Sequence, residues 1–343
     1  MDCVERHRKV LTGEIPDRVP VAPSLLVRPV RRAGLRQRDY HTNPDVLART
    51  QVEHCDAYDF DGMIISSDNV IMYEALGGRI VFQDDDSYPF WTDPLVRDGT
   101  DLARLKVPDP ERDGRMPVLL EASRLAARAV GRRRFIMTNI DSGPFQLAST
   151  LMGMEHAMVG LAQEPALMKE VLAFCAEVAI TYGQAMARTG CHALQFGEST
   201  AAVVGRRLYE EIIWPEDRRV IAELRKTDVK VFLHVCGDSS GIMDLLADSG
   251  ADCLEIDSKV DLAWAKDTVA GKLTLKGNVD TGAFVSMPRA EFMELCRRTI
   301  EAGKRGGRFI LCGGCEVPPD TPDEILHGMR RSADLFGTYK NSA

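Results

Sequence analysis

The sequence predicts an α/β chain folded as a (β/α)8 TIM barrel, on three observations. Eight short apolar runs recur along the 343 residues, helical patterns separate them, and no G-x-G-x-x-G follows the first run. An open doubly wound sheet, the second choice, would be expected to carry that glycine fingerprint.

The runs are 19–27 (VPVAPSLLV), 62–67 (GMIISS), 134–140 (RFIMTNI), 193–198 (ALQFGE), 229–236 (VKVFLHVC), 252–257 (DCLEID), 272–278 (KLTLKGN) and 308–313 (RFILCG). Most are nearly continuous in apolar character, as strands covered on both faces of a parallel sheet are. Helix boundary chemistry lies between them. Asn43-Pro44 precedes VLARTQVEHC, and Ser286-Met287-Pro288 precedes RAEFMELCRRTIEAG, which ends at Gly303. Thr321-Pro322-Asp323-Glu324 offers a capping hydroxyl, proline at the first helical position and a glutamate three residues after the cap. The stretch from about 70 to 133 reads as a helical insertion after the second strand. With no linker and no repeat, residues 1–343 are expected to form one domain.

Composition sets limits on function. With 43 Lys+Arg against 51 Asp+Glu the net charge is −8, which argues against a protein that coats nucleic acid or an anionic membrane. The nine cysteines are odd in number and scattered, unlike a disulfide framework. Charges stand where a signal peptide needs an apolar run, and no window approaches the roughly 20 apolar residues of a spanning helix. The expectation is a cytoplasmic chain with reduced thiols and a full apolar core, for which a homodimer is allowed. The methionines read as core fillers, the adjacent His54-Cys55 and Cys191-His192 pairs as non-ligands, and Asp84-Asp85-Asp86 as a solvated turn.

A barrel gathers its chemistry at the C-terminal ends of its strands. There the sequence has Ser67-Asp68, Asp141-Ser142, Glu198-Ser199, His234-Val235-Cys236-Gly237, Asp257, Asn278-Val279-Asp280 and Cys312-Gly313-Gly314-Cys315. The sharpest element is His234-x-Cys236. On a strand, side chains at i and i+2 share a face, so an imidazole and a thiol are aimed at one point. Cys312 or Cys315, from the last strand, would complete a His/Cys/Cys set, and such a set favours Zn²⁺ and leaves a coordination position open for chemistry. Asp257, at the end of the next strand, is the candidate acceptor for the other nitrogen of His234, with Glu198 and Asp280 as alternatives that could also bind the polar end of a substrate.

Three stretches carry a family resemblance: His234 to Asp280, Asp141-Ser142-Gly143-Pro144-Phe145-Gln146-Leu147-Ala148, and Gly314-Cys315-Glu316-Val317-Pro318-Pro319-Asp320-Thr321-Pro322. Together they resemble the uroporphyrinogen decarboxylase superfamily of (β/α)8 barrels. Its zinc-dependent corrinoid methyltransferase branch, typified by methylcobamide:coenzyme M methyltransferases, carries H-x-C on a barrel strand and a distant cysteine before x-x-Pro-Pro. His234, Cys236 and Cys315 match that pattern, which favours Cys315 over Cys312. The decarboxylases resemble M-R-Q-A-G-R near the N-terminus, where this chain has Arg31-Arg32-Ala33-Gly34-Leu35 and so loses one arginine. They also have histidine where Cys315 stands, and their F-S-D aspartate is matched by Asp68.

The resemblance therefore implies methyl transfer between a corrinoid, a methylcobalamin carried on a partner protein, and a small thiol or methylated small molecule. Decarboxylation of a porphyrinogen is the alternative it leaves. In this reading Asp68, Glu198 and Asp257 serve the reaction. Arg32, with Asn278 and Asp280 at the mouth, would meet the cofactor or an anionic tail, as Arg28 and Arg31 could.

Overall fold

The structure, a computed structural model, describes residues 1–82 and 88–339. The aspartates 84–86 lie outside the described residues. In chain order the strands are β1 (Gly62–Ile65), β2 (Ile80–Val81), β3 (Phe90–Trp91), β4 (Phe135–Ser142), β5 (Ala193–Gly197), β6 (Lys230–Val235), β7 (Cys253–Ile256), β8 (Thr274–Val279) and β9 (Phe309–Gly313). Seven of them form one curled parallel sheet in the order β1-β4-β5-β6-β7-β8-β9, and β2 and β3 form a separate antiparallel ribbon. Each step along the parallel sheet is made through a helix, including Met116–Val130 before β4, Pro165–Ala187 before β5 and Arg289–Gly303 before β9. Among the described residues no helix is long and apolar enough to cross a membrane.

The first expected strand is the exception. Within 19–27 only Val21 makes a bridge, to Leu311, and the chain enters the helix Val27–Arg32 directly afterwards. Pro20 and Pro23 supply no N–H, so a full ladder is unavailable. The short segment nevertheless bonds to both edges of the sheet. The Val21 carbonyl accepts from Asp61 N (2.9 Å) beside β1, and Ala22 N donates to Leu311 O of β9 (3.1 Å).

A buried charge cluster pins that segment. Asp61 accepts from Arg6 (2.6 Å), twice from Arg18 (2.7 and 2.9 Å) and from Val21 N (2.8 Å). Burial alone would raise its carboxyl, but the guanidiniums of Arg18 and Arg6 outweigh it and hold the pKa down to about 2, below the ordinary 3.8. A depressed folded-state pKa stabilises above the unfolded value and is lost as pH falls through the folded one. The contribution, about 2 kcal/mol, is thus complete above about pH 4 and lost toward pH 2. Asp61→Asn should remove that part of the acid dependence, read as a flatter fall of the urea midpoint on acidification.

Two further expectations change. The helical insertion expected over 70–133 is not confirmed as such: helix Met116–Val130 is the connection into β4, and the excursion before it holds the short helices Ile71–Ala75 and Gly99–Leu102 and the β2/β3 ribbon. At the last helix, Asp323–Phe336, Pro322 occupies the cap and the Thr321 hydroxyl donates backwards to Pro318 O (2.7 Å), so no capping box forms. Asn43 does cap Pro44–Ala57, accepting from Asp45 N and Val46 N.

The strands are buried on both faces, and their side chains divide between two buried clusters. Inward-facing Ile64, Phe135, Met137, Phe232, Cys253 and Ile310 form one cluster, closed from below by Val10 and Leu11 of the helix Cys3–Thr12. The larger cluster fills the space between sheet and helices. With the N-terminal end of the strands packed shut, the open space lies at their C-terminal ends.

Candidate metal centre and its cavity

His234, the fifth of six residues in β6, stands in register with Gly197 of β5 and Glu255 of β7. Cys236 follows at the strand end on the same side. Cys315 arrives from the loop after β9, whose approach depends on Gly314: a Cβ there would run into Ser258 N and lie 3.1 Å from the Asp257 carbonyl carbon. The result is a three-residue cluster in which one ligand atom from each of His234, Cys236 and Cys315 lies within 4.8 Å of the others. His234 Nε2 is 2.9 Å from Cys236 Sγ, and the two sulfurs are 3.6 Å apart.

The donor set fits zinc. Tetrahedral Zn–S bonds of about 2.3 Å place two sulfurs about 3.8 Å apart, close to the separation found here, and one imidazole with two thiols is a zinc-type set. The Cys315 contact draws the Cys236 thiol below its ordinary pKa against the effect of burial, while the same contact and burial push Cys315 upward. Burial opposes a charged His234, but the Cys315 hydrogen bond and the Glu255 charge outweigh it and raise its pKa.

The cluster opens into a cavity of about 180 Å³ whose lining includes Asn139, Asp141, Gln146, Gln195, Glu255 and Glu316. Beneath it runs a buried network. Glu255 accepts from Lys276 Nζ (2.8 Å), Ser24 Oγ (3.0 Å) and Gln195 Nε2. Cys312 belongs to this network, with its sulfur 3.6 Å from Glu255 and 3.9 Å from Ser24, and burial pushes its thiol up to about 12. It stands outside the three-residue cluster.

The other sequence-derived candidates scatter. Asp68 is buried against Arg115 (2.5 and 3.1 Å) with Ser67 and His41 beside it, and Arg115 more than offsets burial to hold its carboxyl low. Glu198 faces away from the cavity. Its carboxylate accepts from Phe145 N (2.8 Å) and Gln146 N (3.2 Å) at the start of helix Pro144–Met152, and burial with the neighbouring Asp217 raises its pKa. Asp257 does not meet His234: its oxygens accept from Gly237 N, Lys259 N and Ser258 Oγ, and His234 Nδ1 is buried with no hydrogen-bond partner among the described residues. Backbone amides at the strand ends claim the Asp257 carboxylate instead.

The residues expected to meet the cofactor also stay out of the cavity lining. Arg32 pairs with Asp323 (3.3 Å) over the Tyr58 ring, Arg28 bonds Asp323 and Tyr58, and Arg31 pairs with Asp320. Asn278 donates to the Asp257 and Val260 carbonyls, and exposed Asp280 accepts from Ala283 N in the following turn.

Asp141, noted at a strand end but given no role, is part of the wall. It is 3% exposed, adopts φ 80°, and accepts from Met72 N (2.8 Å) and Ser142 Oγ (2.8 Å). Burial pushes its carboxyl up to about 7. Gln195, Glu255 and Lys276 were missed outright, although polar groups inside apolar strand runs are a signal, because a buried charge requires a partner.

Comparison with known proteins agrees with this architecture. A family model described as uroporphyrinogen decarboxylase (URO-D) matches residues 4–334. A uroporphyrinogen decarboxylase of Cellvibrio japonicus is 25% identical over 308 residues, covering 87% of this chain and 85% of its own. The methylcobamide:CoM methyltransferase MtbA of Methanosarcina acetivorans is 23% identical over 339 residues, covering 97% of each. Among solved structures, a methyltransferase from Methanosarcina mazei superposes with a TM-score of 0.89 over 98% of this chain and 99% of its own, at 22% identity, which shows a shared fold.

Proposed function

Because the chain belongs to the uroporphyrinogen decarboxylase family, and because its cavity ends in a His/Cys/Cys cluster, we propose that it is a zinc-dependent methyltransferase. In this reading it moves a methyl group between a corrinoid held by a partner protein and a small thiol or methylated substrate. The observation that carries the reading is the convergence of His234, Cys236 and Cys315 on one point at the cavity floor. The methyltransferase relatives, whose names specify methylcobamide and CoM, support it.

His234, Cys236 and Cys315 would hold the metal. When bound, zinc supplies a pKa depression that lets a substrate thiol react as its thiolate at neutral pH. The two cysteine thiolates would balance the metal charge, and His234 would add a neutral donor. Glu255, fixed by Lys276, Ser24 and Gln195, sets the field behind His234. The apolar cluster below closes the barrel floor, so the substrate and the corrinoid must meet from the open mouth.

The alternative is porphyrinogen decarboxylation, which the names of several relatives suggest. Against it, the Asp68 carboxylate is engaged by Arg115 and absent from the cavity lining. The deciding experiment pairs metal analysis with two assays. The expected result is about one zinc per chain, methyl transfer from methylcobalamin to a thiol, and no CO₂ from uroporphyrinogen. Metal-free protein with full transfer activity would overturn the reading.

A further inference from the structure

The polar wall of the cavity is rich in acceptors. Asp141 and Glu316 present carboxyl groups, and Asn139, Gln146 and Gln195 present carboxamides, while no lysine or arginine lines it among the described residues. The nearby cations are committed elsewhere. Lys276 is spent on Glu255 (2.8 Å), and Arg115 on Asp68 (2.5 and 3.1 Å) and Glu74 (2.6 Å). In addition, the Gln146 amide oxygen is buried with no hydrogen-bond partner among the described residues, although an unmatched buried acceptor costs about 1–3 kcal/mol.

Resting on the methyltransferase reading, we propose that the small substrate carries a hydrogen-bond-donating tail, an ammonium by preference and a hydroxyl next, and that Asp141 and Gln146 receive it. The proposal separates this chain from relatives whose names specify CoM, a thiol with a sulfonate tail. A sulfonate in this cavity would face carboxyl groups and an amide oxygen with no lysine or arginine in the described lining to offset them, whereas an ammonium would donate to both. Asp141 is built for such a contact. Its positive φ, held by Asn139 Oδ1 accepting from Asp141 N (3.1 Å), is unusual for a residue with a side chain and turns the carboxyl into the wall. Met72 N and Ser142 Oγ use one lone pair on each oxygen, leaving capacity for a further donor.

A thiol series that varies only the tail charge tests this. Zinc-loaded protein is titrated calorimetrically with 2-aminoethanethiol, 2-mercaptoethanol, 3-mercaptopropionate and 2-mercaptoethanesulfonate. The aminothiol is expected to bind at least about tenfold tighter than the sulfonate, with the alcohol between them. Asp141→Asn should shrink that ratio toward one at unchanged zinc content. Gln146→Leu, which leaves the strained turn intact, should weaken the aminothiol and the alcohol while sparing the sulfonate, and it decides the matter if Asp141→Asn does not fold. A sulfonate that binds as tightly as the aminothiol, or a ratio insensitive to both substitutions, overturns the inference while zinc and thiol binding leave the methyltransferase reading standing. A chain that holds no zinc and binds none of the four overturns both.

Discussion

Replacing Cys315 with serine is expected to lower bound zinc from about one per chain to near zero after mild chelation, and to abolish methyl transfer. Serine keeps the size of the side chain but is a poor zinc donor at neutral pH, so two of three protein donors remain. Structural zinc sites bind with apparent free energies of about 10–16 kcal/mol across their full ligand sets. Loss of one donor should therefore weaken affinity by on the order of a thousandfold or more. His234→Ala and Cys236→Ser should behave alike. The informative contrast is Cys312→Ser, only three residues upstream of Cys315. Its sulfur lies against Glu255 and Ser24, and its thiol is held protonated by burial, so zinc content should be unchanged. Fold loss is not expected to confound the series, because Cys236 and Cys315 are only partly buried and lie at strand ends outside the apolar core. Retention of stoichiometric zinc by Cys315→Ser, measured by elemental analysis, would sink the assignment.

The same residues show what a sequence can reveal about this site. His234 and Cys236 are legible because the two-residue period of a strand fixes their common side, whatever the rest of the fold does. Strand geometry alone narrows the third ligand only to Cys312 or Cys315, since the loop between them is set by the close approach of Gly314 to Asp257 and Ser258, and it is the family resemblance that favours Cys315. Glu198 shows the opposite failure. It has the parity opposite to Gln195 and Gly197, both of which line the cavity, so its carboxylate turns outward to the amides of Phe145 and Gln146. Strand-end position drew the expectation, but parity decided the side. Asp257 and Arg32 were unreadable for another reason. Their partners, Gly237 N and Asp323, come from other loops, and nothing local selects a backbone amide over an imidazole, or an aspartate over a ligand. Seven of the eight expected strands formed. The run 19–27 did not, because its prolines leave too few N–H groups to build a ladder.

Lys276→Met should be the most destabilising single change among the polar groups beneath the cavity, by about 3–5 kcal/mol. Lys276 is wholly buried, with Nζ 2.8 Å from Glu255 and 3.0 Å from Ser24 Oγ. Glu255 is buried as well. Burial would raise its carboxyl, and it is Lys276, more than any other group, that keeps it below the ordinary value. Removing the lysine leaves an anion in a low-dielectric interior, which must either stay charged without a partner or take up a proton. The remaining hydrogen bonds from Ser24 and Gln195 cannot replace the lost charge. The double variant Lys276→Met with Glu255→Gln is expected to recover most of the loss, because the amide oxygen still accepts from Gln195 and no unpaired charge remains. Urea unfolding of wild type, both single variants and the double variant gives the coupling directly. A Lys276→Met midpoint that falls by less than about 1 kcal/mol equivalent would show a pair already hydrated from the cavity. A double variant no more stable than Lys276→Met would show that packing of the lysine stem, rather than the charge, holds this layer of the curled sheet together.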